Sequence, residues 1–389
     1  MRIISNRKLG CQLLLTFSLL AVLACERQKP TITSEDLSLF AFIISDNDLD
    51  DHTDYLEKDM VKGLKGCPVG TELFLYIDRQ NTSPSIRHLL LLESGKVGVN
   101  TIADYEDQCS TSPDIFQNVL NTMIRESSGS RYGLIYWSHG SGWLPGNSSA
   151  VTSNKKSRAL GVDGNSSMSI NDFSEILSRT KPPFFVVLDA CNMGSVEVAY
   201  ALRNSTHFLI ASPSETYGVG FPFYLMLPEL VKGTKESLSY SLDLYLDFCN
   251  TDFYGDGEIS GMASLIDCSQ MDDLSNEFRL LYEKSRKSVD INELQSFDNS
   301  TPHIYYDFGD YAFNLGGTAF PYERFEDQLN KTVVHKVHTP FIFTQSGQGF
   351  NKLKINKYSG LSTYIYGASS LFDMAYERTD WYKVCYEKQ

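Results

Sequence analysis

The sequence predicts an α/β domain built on a largely parallel sheet, and three observations carry that prediction. Short, mostly apolar runs recur along the chain: Leu39–Ile44, Glu72–Ile77, Ile86–Leu92, Tyr132–Trp137, Phe184–Leu188 and His207–Ala211. Runs of this length, rich in Val, Ile and Phe and lacking polar alternation, read as strands buried on both faces. Helical periodicity fills the gaps between several of them, and strand–helix alternation is the signature of a layered α/β domain. Two of the runs end directly in reactive side chains, which is where open α/β sheets place functional groups. The chain has 389 residues, 42% of them hydrophobic and 12% aromatic, which is ample for a large core.

The N-terminus reads as an export signal. Arg2, Arg7 and Lys8 form a basic start, and Cys11–Ala24 is an apolar stretch too short for a comfortable membrane span. It ends in Val22-Leu23-Ala24-Cys25, which resembles a bacterial lipoprotein cleavage box with Cys25 as the lipidated residue. The predicted organisation is a signal peptide over 1–24, a polar tether over 25–35 and one domain over 36–389. Its core spans about 36–225, followed by a C-terminal extension of helices and strands over about 226–389. The expected location is the cell envelope, with the chain anchored to membrane through Cys25.

Leu39–Ile44 is the first strand. Asp46-Asn47-Asp48-Leu49 follows as a cap for a helix over about Asp50–Leu64. The alternating acids resemble calcium ligands, but the rest of a twelve-residue loop is missing, so capping is the stronger reading. Glu72–Ile77 and Ile86–Leu92 are the next strands. Asp114–Arg125 is an amphipathic helix with Ile115, Val119, Leu120 and Met123 on one face. Tyr132–Trp137 is then a strand that runs into Ser138-His139-Gly140. Pro145–Asn165, rich in Ser, Asn and Gly, reads as a long loop with Lys155, Lys156 and Arg158 at its centre. Ser169–Ser178 is a short helix capped by Ser169, with Asp172 three residues on. Phe184–Leu188, introduced by Pro182-Pro183, enters Asp189-Ala190-Cys191-Asn192-Met193-Gly194, and a helix over Ser195–Leu202 follows. Beyond the His207–Ala211 strand, Phe223–Val231, Lys235–Phe248 and Asp272–Lys287 read as helices and Ser260–Asp267 as a strand. Thr251–Glu258 is an acidic turn. The aromatics of Ile304–Asn314 and Ser359–Tyr366, with Trp381, are expected to close the core and the rim of the site groove.

Two strands of one sheet thus deliver His139 and Cys191 to the same edge, and a thiol with an imidazole in reach is the minimum for a cysteine nucleophile. The helix after Cys191 is expected to favour the thiolate through its N-terminal dipole. Asp189, two residues earlier, projects to the same side of an extended chain as Cys191, a position suited to a pocket anion. No G-x-S-x-G element suggests a serine hydrolase, and no Cys or His spacing suggests zinc. Export permits disulfides, but the six cysteines beyond Cys25 do not require them. The formal net charge of −14 argues against nucleic acid as a partner and leaves cationic substrates open.

Trp137-Ser138-His139-Gly140 taken together with Asp189-Ala190-Cys191-Asn192-Met193-Gly194 resembles the clostripain family of cysteine peptidases, in the caspase-like clan. The resemblance is strong around these two blocks and weak after Leu225. It implies a caspase-like α/β/α sandwich and an endopeptidase that cleaves after Arg or Lys. Cys191 would be the nucleophile and His139 the acid–base group, with the backbone N–H groups of Gly140 and Cys191 holding the oxyanion. Asp189 would sit at the base of the specificity pocket, and Glu215, in the family-like loop Ser212–Pro222, would line it. Self-processing would fall at Lys155, Lys156 or Arg158 within the 145–165 loop. No cofactor is required for the chemistry; calcium dependence is known in the family, but no site is legible. The partners implied are proteins or peptides containing Arg or Lys. The alternative is a catalytically silent surface lipoprotein of the same fold that binds peptide or glycan; the presence of both His139 and Cys191 favours the enzyme.

Overall fold

The computed structural model describes residues 37–144, 160–251, 259–285, 288–317, 320–346 and 349–387. The signal segment, Cys25, the tether, residues 145–159 with Lys155, Lys156 and Arg158, and most of the acidic turn at 251–258 lie outside the described residues. The described residues fall in one compact unit.

Strand β1 (Leu37–Ser45) is buried along its whole length and leads into helix α1 (Asp50–Leu64). Strands β2 (Glu72–Arg79), β3 (Thr82–Leu91) and β4 (Val97–Asp104) follow, then helix α2 (Pro113–Glu126) and β5 (Arg131–Trp137). A small hairpin, β6 (Leu160–Asp163) and β7 (Ser166–Met168), precedes β8 (Phe185–Asp189) and β9 (Phe208–Ala211). The C-terminal part supplies β10 (Met262–Asp267), β11 (Tyr306–Asp307), β12 (Val333–His338), β13 (Phe341–Ser346), β14 (Gly349–Lys354) and β15 (Ser362–Thr363).

Among the described residues nine strands form one sheet in the order β12-β10-β9-β8-β5-β1-β2-β3-β4. The five central strands, β9-β8-β5-β1-β2, are mutually parallel, and two antiparallel strands flank them on each side. The expected parallel sheet is therefore its centre. Of the antiparallel margins, β3 and β10 show as predicted runs, while the outermost strands β4 and β12 escape the pattern because one face of an edge strand meets solvent; in β4 Val99 is 61% exposed. Alternate residues of β1 serve two cores. Phe40, Phe42 and Ile44 join Phe116, Val119 and Phe173 on one side, while Leu39, Ala41 and Ile43 join Leu56, Met60, Phe223 and Leu227 on the other. This two-sided burial makes the α/β/α sandwich, and each fully buried side chain of this size contributes about 1.5–3 kcal/mol.

Three local expectations change. Helix α1 has the predicted bounds, but Leu49 at its N-cap makes no side-chain cap and Asn47 alone of the predicted motif serves the entry, its Oδ1 accepting from Leu49 N–H at 2.8 Å. Asp50 instead pairs with Arg79 at 2.9 Å, and Asp48 points elsewhere. The predicted loop 145–165 ends earlier, because Leu160–Met168 is the β6–β7 hairpin. The C-terminal part is no appendage: β10 and β12 extend the main sheet, and β15 packs behind the site. Ser362 N–H donates to Gly194 O at 3.0 Å. Buried Glu197 accepts from Thr363 Oγ1 and Tyr364 N–H, both at 3.1 Å. Trp381, fully buried, packs against Tyr200, Phe278 and Phe308, as the aromatic pattern predicts. Among the described residues no helix is long and apolar enough to cross a membrane.

Candidate active site

Strands β1, β5, β8 and β9 are consecutive in the sheet and end together. Their register aligns Ile43 with Trp137, Trp137 with Asp189, and Leu188 with Ala211. The turns beyond these ends line a cleft of about 440 Å³, bounded by Asp48, His52, His139, Gly140, Asp189, Cys191, Asn192, Glu215, Thr216, Tyr217 and Phe343 among others. Five residues singled out in the sequence, His139, Gly140, Asp189, Cys191 and Glu215, meet there; Lys155, Lys156, Arg158 and Cys25 are outside the described residues.

His139 is half-exposed, and its Nε2 lies 2.5 Å from Asp48 Oδ1. That hydrogen bond, with the imidazole charge, holds the Asp48 carboxyl below its ordinary range. The backbone of the His turn is tied down by β6: Gly161 N–H donates to His139 O at 2.9 Å, and Val162 N–H to Ser138 Oγ at 3.1 Å. Gly140 bridges Leu160. Because this bridge places its hydrogen bonds on the flanking residues, it does not use Gly140's own N–H. A Cβ at position 140 would lie 2.7 Å from the Cys191 carbonyl oxygen, so only glycine lets the His and Cys turns come this close.

The Cys turn is zipped to the loop after β9. Asn192 N–H donates to Ser214 O at 2.9 Å and Gly194 N–H to Ser212 O at 2.7 Å. Asn192 itself takes a left-handed conformation, φ 62°. Cys191 Sγ accepts from Thr216 N–H at 3.4 Å and lies 3.8 Å from Thr216 Oγ1. Burial pushes the Cys191 thiol up, and the Thr216 contacts offset this only in part. The expected thiolate is therefore not favoured in this state. The cause is geometric: the helix Val196–Leu202 begins beyond its cap, Ser195, whose Oγ accepts from Val198 N–H. The thiol thus meets Thr216 rather than the open end of a helix.

Asp189 closes the cleft from beneath. Its side chain is buried, Phe221 N–H donates to Oδ2 at 2.7 Å, and Oδ1 has no hydrogen-bond partner among the described residues. Burial raises the carboxyl from 3.8 to about 7, the Phe221 N–H opposes this, and nearby Asp59 adds to it. Gly220 makes room for this carboxylate: at φ +72°, any Cβ there would press on Oδ2. Asp59, raised to about 6 chiefly by burial, accepts from Tyr224 N–H at 2.9 Å. The two acids thus pin the start of the helix Phe223–Leu230 under the cleft.

Asp48, His52, Thr216 and Phe343 are cleft residues that sequence reasoning missed. Asp48 was visible as a capping motif and in an acidic alternation, and Thr216 only as part of the Ser212–Pro222 loop; Phe343 carries no local signal. Among the described residues no group of three or more His, Cys, Asp or Glu side chains is disposed to hold a metal ion. All six cysteines of the described residues are free thiols, with Cys67, Cys249, Cys268 and Cys385 buried.

Comparison with known proteins follows the same lines. The model of the clostripain family matches residues 41–348. An inactive zymogen C11 protease from Parabacteroides distasonis is similar in structure, with a TM-score of 0.79 at 27% identity, covering 91% of this chain and 99% of that one. A secreted C11 cysteine protease from Bacteroides thetaiotaomicron gives 0.79 at 24% identity, covering 90% and 99%. A structure of a secreted C11 cysteine protease from the same organism, in complex with an irreversible peptide inhibitor, gives 0.77 at 24%, covering 90% and 98%. At 24% identity these last two likenesses speak to the fold alone. No curated protein matches the sequence.

Proposed function

The chain belongs to the clostripain family of cysteine peptidases, with a caspase-like fold, and from that premise we propose that it is an endopeptidase cleaving after Arg or Lys with a His139/Cys191 dyad. The observation that carries the specificity is the free Oδ1 of Asp189. A buried carboxylate oxygen without a donor is costly, and Asp189 lines the cleft that also holds Cys191 and His139. A guanidinium or ammonium entering the cleft would supply the missing donor as a charge-assisted bond. Glu215, on the same wall, adds negative potential.

In the reaction the Cys191 thiol gives its proton to His139 as Sγ attacks the scissile carbonyl carbon. The N–H groups of Gly140 and Cys191 receive the developing oxyanion; Gly140 N–H is left unused by the β6 bridge. His139 then passes the proton to the leaving amine as the C–N bond breaks, giving the acyl-enzyme. Water, deprotonated by His139, attacks the thioester, and Sγ leaves to regenerate the thiol. Side chains and backbone carry every step.

The same reading places lipidation at Cys25, anchors the enzyme in the cell envelope, and puts self-cleavage at Lys155, Lys156 or Arg158. Paired fluorogenic peptides ending in Arg, Lys, Asp and Leu test the specificity, each run with calcium and with a chelator beside Cys191→Ala. Turnover of the Arg and Lys peptides only, abolished in the variant, is the expected result. Failure of intact and loop-cleaved protein on all peptides would return the chain to a silent surface binder. N-terminal sequencing of the mature protein checks the cut, and the mass of its first peptide checks the lipid.

A further inference from the structure

We propose that Asp48 is the positioning residue for His139, fixing the imidazole so that Nε2–H points at the Asp48 carboxylate and Nδ1 faces Cys191 and the substrate. This rests on the reading of His139 as the acid–base group. The geometry begins with the 2.5 Å contact between Nε2 and Asp48 Oδ1. An ionised carboxylate only accepts, so in the neutral ring it places the single N–H on Nε2 and leaves the lone pair on Nδ1. That nitrogen then takes the thiol proton and later returns it to the leaving amine.

The sheet order supports the assignment. Strands β1, β5 and β8 are neighbours, so Asp48, His139 and Cys191 follow one another along the sheet edge as acid, imidazole and thiol. The turn carrying Asp48 is also built, not loose. Asn47 Oδ1 accepts from Leu49 N–H at 2.8 Å, and Asn47 Nδ2 donates to Val162 O at 2.7 Å and to Ile44 O at 3.3 Å. Gln80 Nε2 donates to Asn47 O at 2.9 Å. Val162 follows Gly161, whose N–H holds His139 O. Two successive residues of β6 thus clamp the acid-bearing turn and the imidazole-bearing turn against each other.

Stability offers no competing account. The Asp48 side chain is 86% exposed, and exposed ion pairs contribute only about 0–1 kcal/mol. Asn47, not Asp48, supplies the side chain at the helix entry, accepting from Leu49 N–H at 2.8 Å, so the Asp48 carboxylate is left to the imidazole.

The test compares Asp48→Ala, Asp48→Asn and His139→Ala in the processed enzyme, with ¹⁵N-histidine NMR to read the ring. Asp48→Ala is expected to lower kcat by roughly 10- to 100-fold with KM nearly unchanged and the melting temperature held. Asp48→Asn removes the charge and offers the ring an amide N–H as well as an oxygen, so it no longer enforces the tautomer and should lose activity much as Asp48→Ala does. The neutral His139 signal, assigned through its absence in His139→Ala, should show protonated Nε2 in the parent and a tautomer mixture in Asp48→Ala. A kcat within about twofold of the parent, or an unchanged tautomer in Asp48→Ala, overturns the proposal. Undiminished turnover by His139→Ala would instead remove the acid–base reading beneath it.

Discussion

Replacing Asp189 by Asn should drive activity and stability in opposite directions, and the structure sets both sizes. The amide keeps an oxygen for Phe221 N–H, now 2.7 Å from Oδ2, so the pocket floor should hold its shape. What disappears is the negative charge offered to a basic side chain. Losing one partner of a buried, hydrogen-bonded charge pair costs about 2–4 kcal/mol, or roughly 30- to 900-fold in kcat/KM for Arg and Lys peptides. The stability effect runs the other way. The folded-state carboxyl is raised from 3.8 to about 7, so its ionisation weakens the fold as pH climbs through that interval, fully so above 7. At pH 8 the penalty is at most on the order of 4 kcal/mol. The Asn variant escapes it and should melt higher than the parent at pH 8, with the gap closing towards pH 4. By the same sign, the parent's kcat/KM on Arg peptides should fall as pH drops below the value at which Asp189 protonates. The assay is kcat/KM on Arg, Lys and Leu peptides together with thermal melts at pH 5 and pH 8. Arg cleavage by the variant within about threefold of the parent would refute the role given to Asp189.

Further outcomes follow from neighbouring features. Gly140→Ala forces a Cβ to 2.7 Å from Cys191 O, so it should cut kcat by ~10²-fold or more while the chain still folds, checked by steady-state kinetics beside circular dichroism. Alkylation of Cys191 in the free enzyme should speed up as pH rises past the ordinary thiol range, since burial pushes that thiol up; mass spectrometry of the modified peptide follows it. Glu72 is buried, which by itself opposes ionisation. The nearby His88 imidazole, 3.3 Å from Oε1, and donors from Ser128 and Ser38 prevail and hold it at about 2. Its stabilisation is therefore present above pH 4.5 and lost as pH falls through 2, and Glu72→Gln should cost about 2–3 kcal/mol in urea unfolding at pH 7. Substituting Lys155, Lys156 and Arg158 together by Ala should leave the 145–165 segment uncut on a denaturing gel.

The centre of the sheet was legible because strands covered on both faces must be apolar throughout; Tyr132–Trp137 and Phe184–Leu188 read that way, the first ending where expected and the second one residue later, at Asp189. The helix Ile170–Arg179 was legible through its cap, as Ser169 Oγ accepts from Asp172 N–H at 3.0 Å. What stayed hidden depends on partners distant in sequence. Strand β4, with its polar Asn100 and Thr101, gains its identity only from pairing with β3. Asp48 looks like a helix cap until β1 and β5 are known to be neighbours. The thiol's environment could not be read either, since Thr216 lies far along the chain and reaches Cys191 only through the zipped β9 loop.

The position of residues 145–159 within the strand order has a further consequence for how the enzyme holds together. Every strand of the main sheet before that segment, β1 to β5, lies on one side of the β5–β8 seam, and every later one, β8, β9, β10 and β12, lies on the other. A break in the segment would therefore divide the molecule into two polypeptides, one bearing His139 and the other Cys191, with neither complete alone. Five aligned residue pairs between β5 and β8, the Gly161 bond to His139 and the Tyr305 hydroxyl on Ser141 O would belong to the fastening, beside the Asn47–Val162 and Asp59–Tyr224 hydrogen bonds and the two shared cores. Activity would then become a property of a non-covalent pair: lost on dilution in denaturant, and restored by mixing the two pieces.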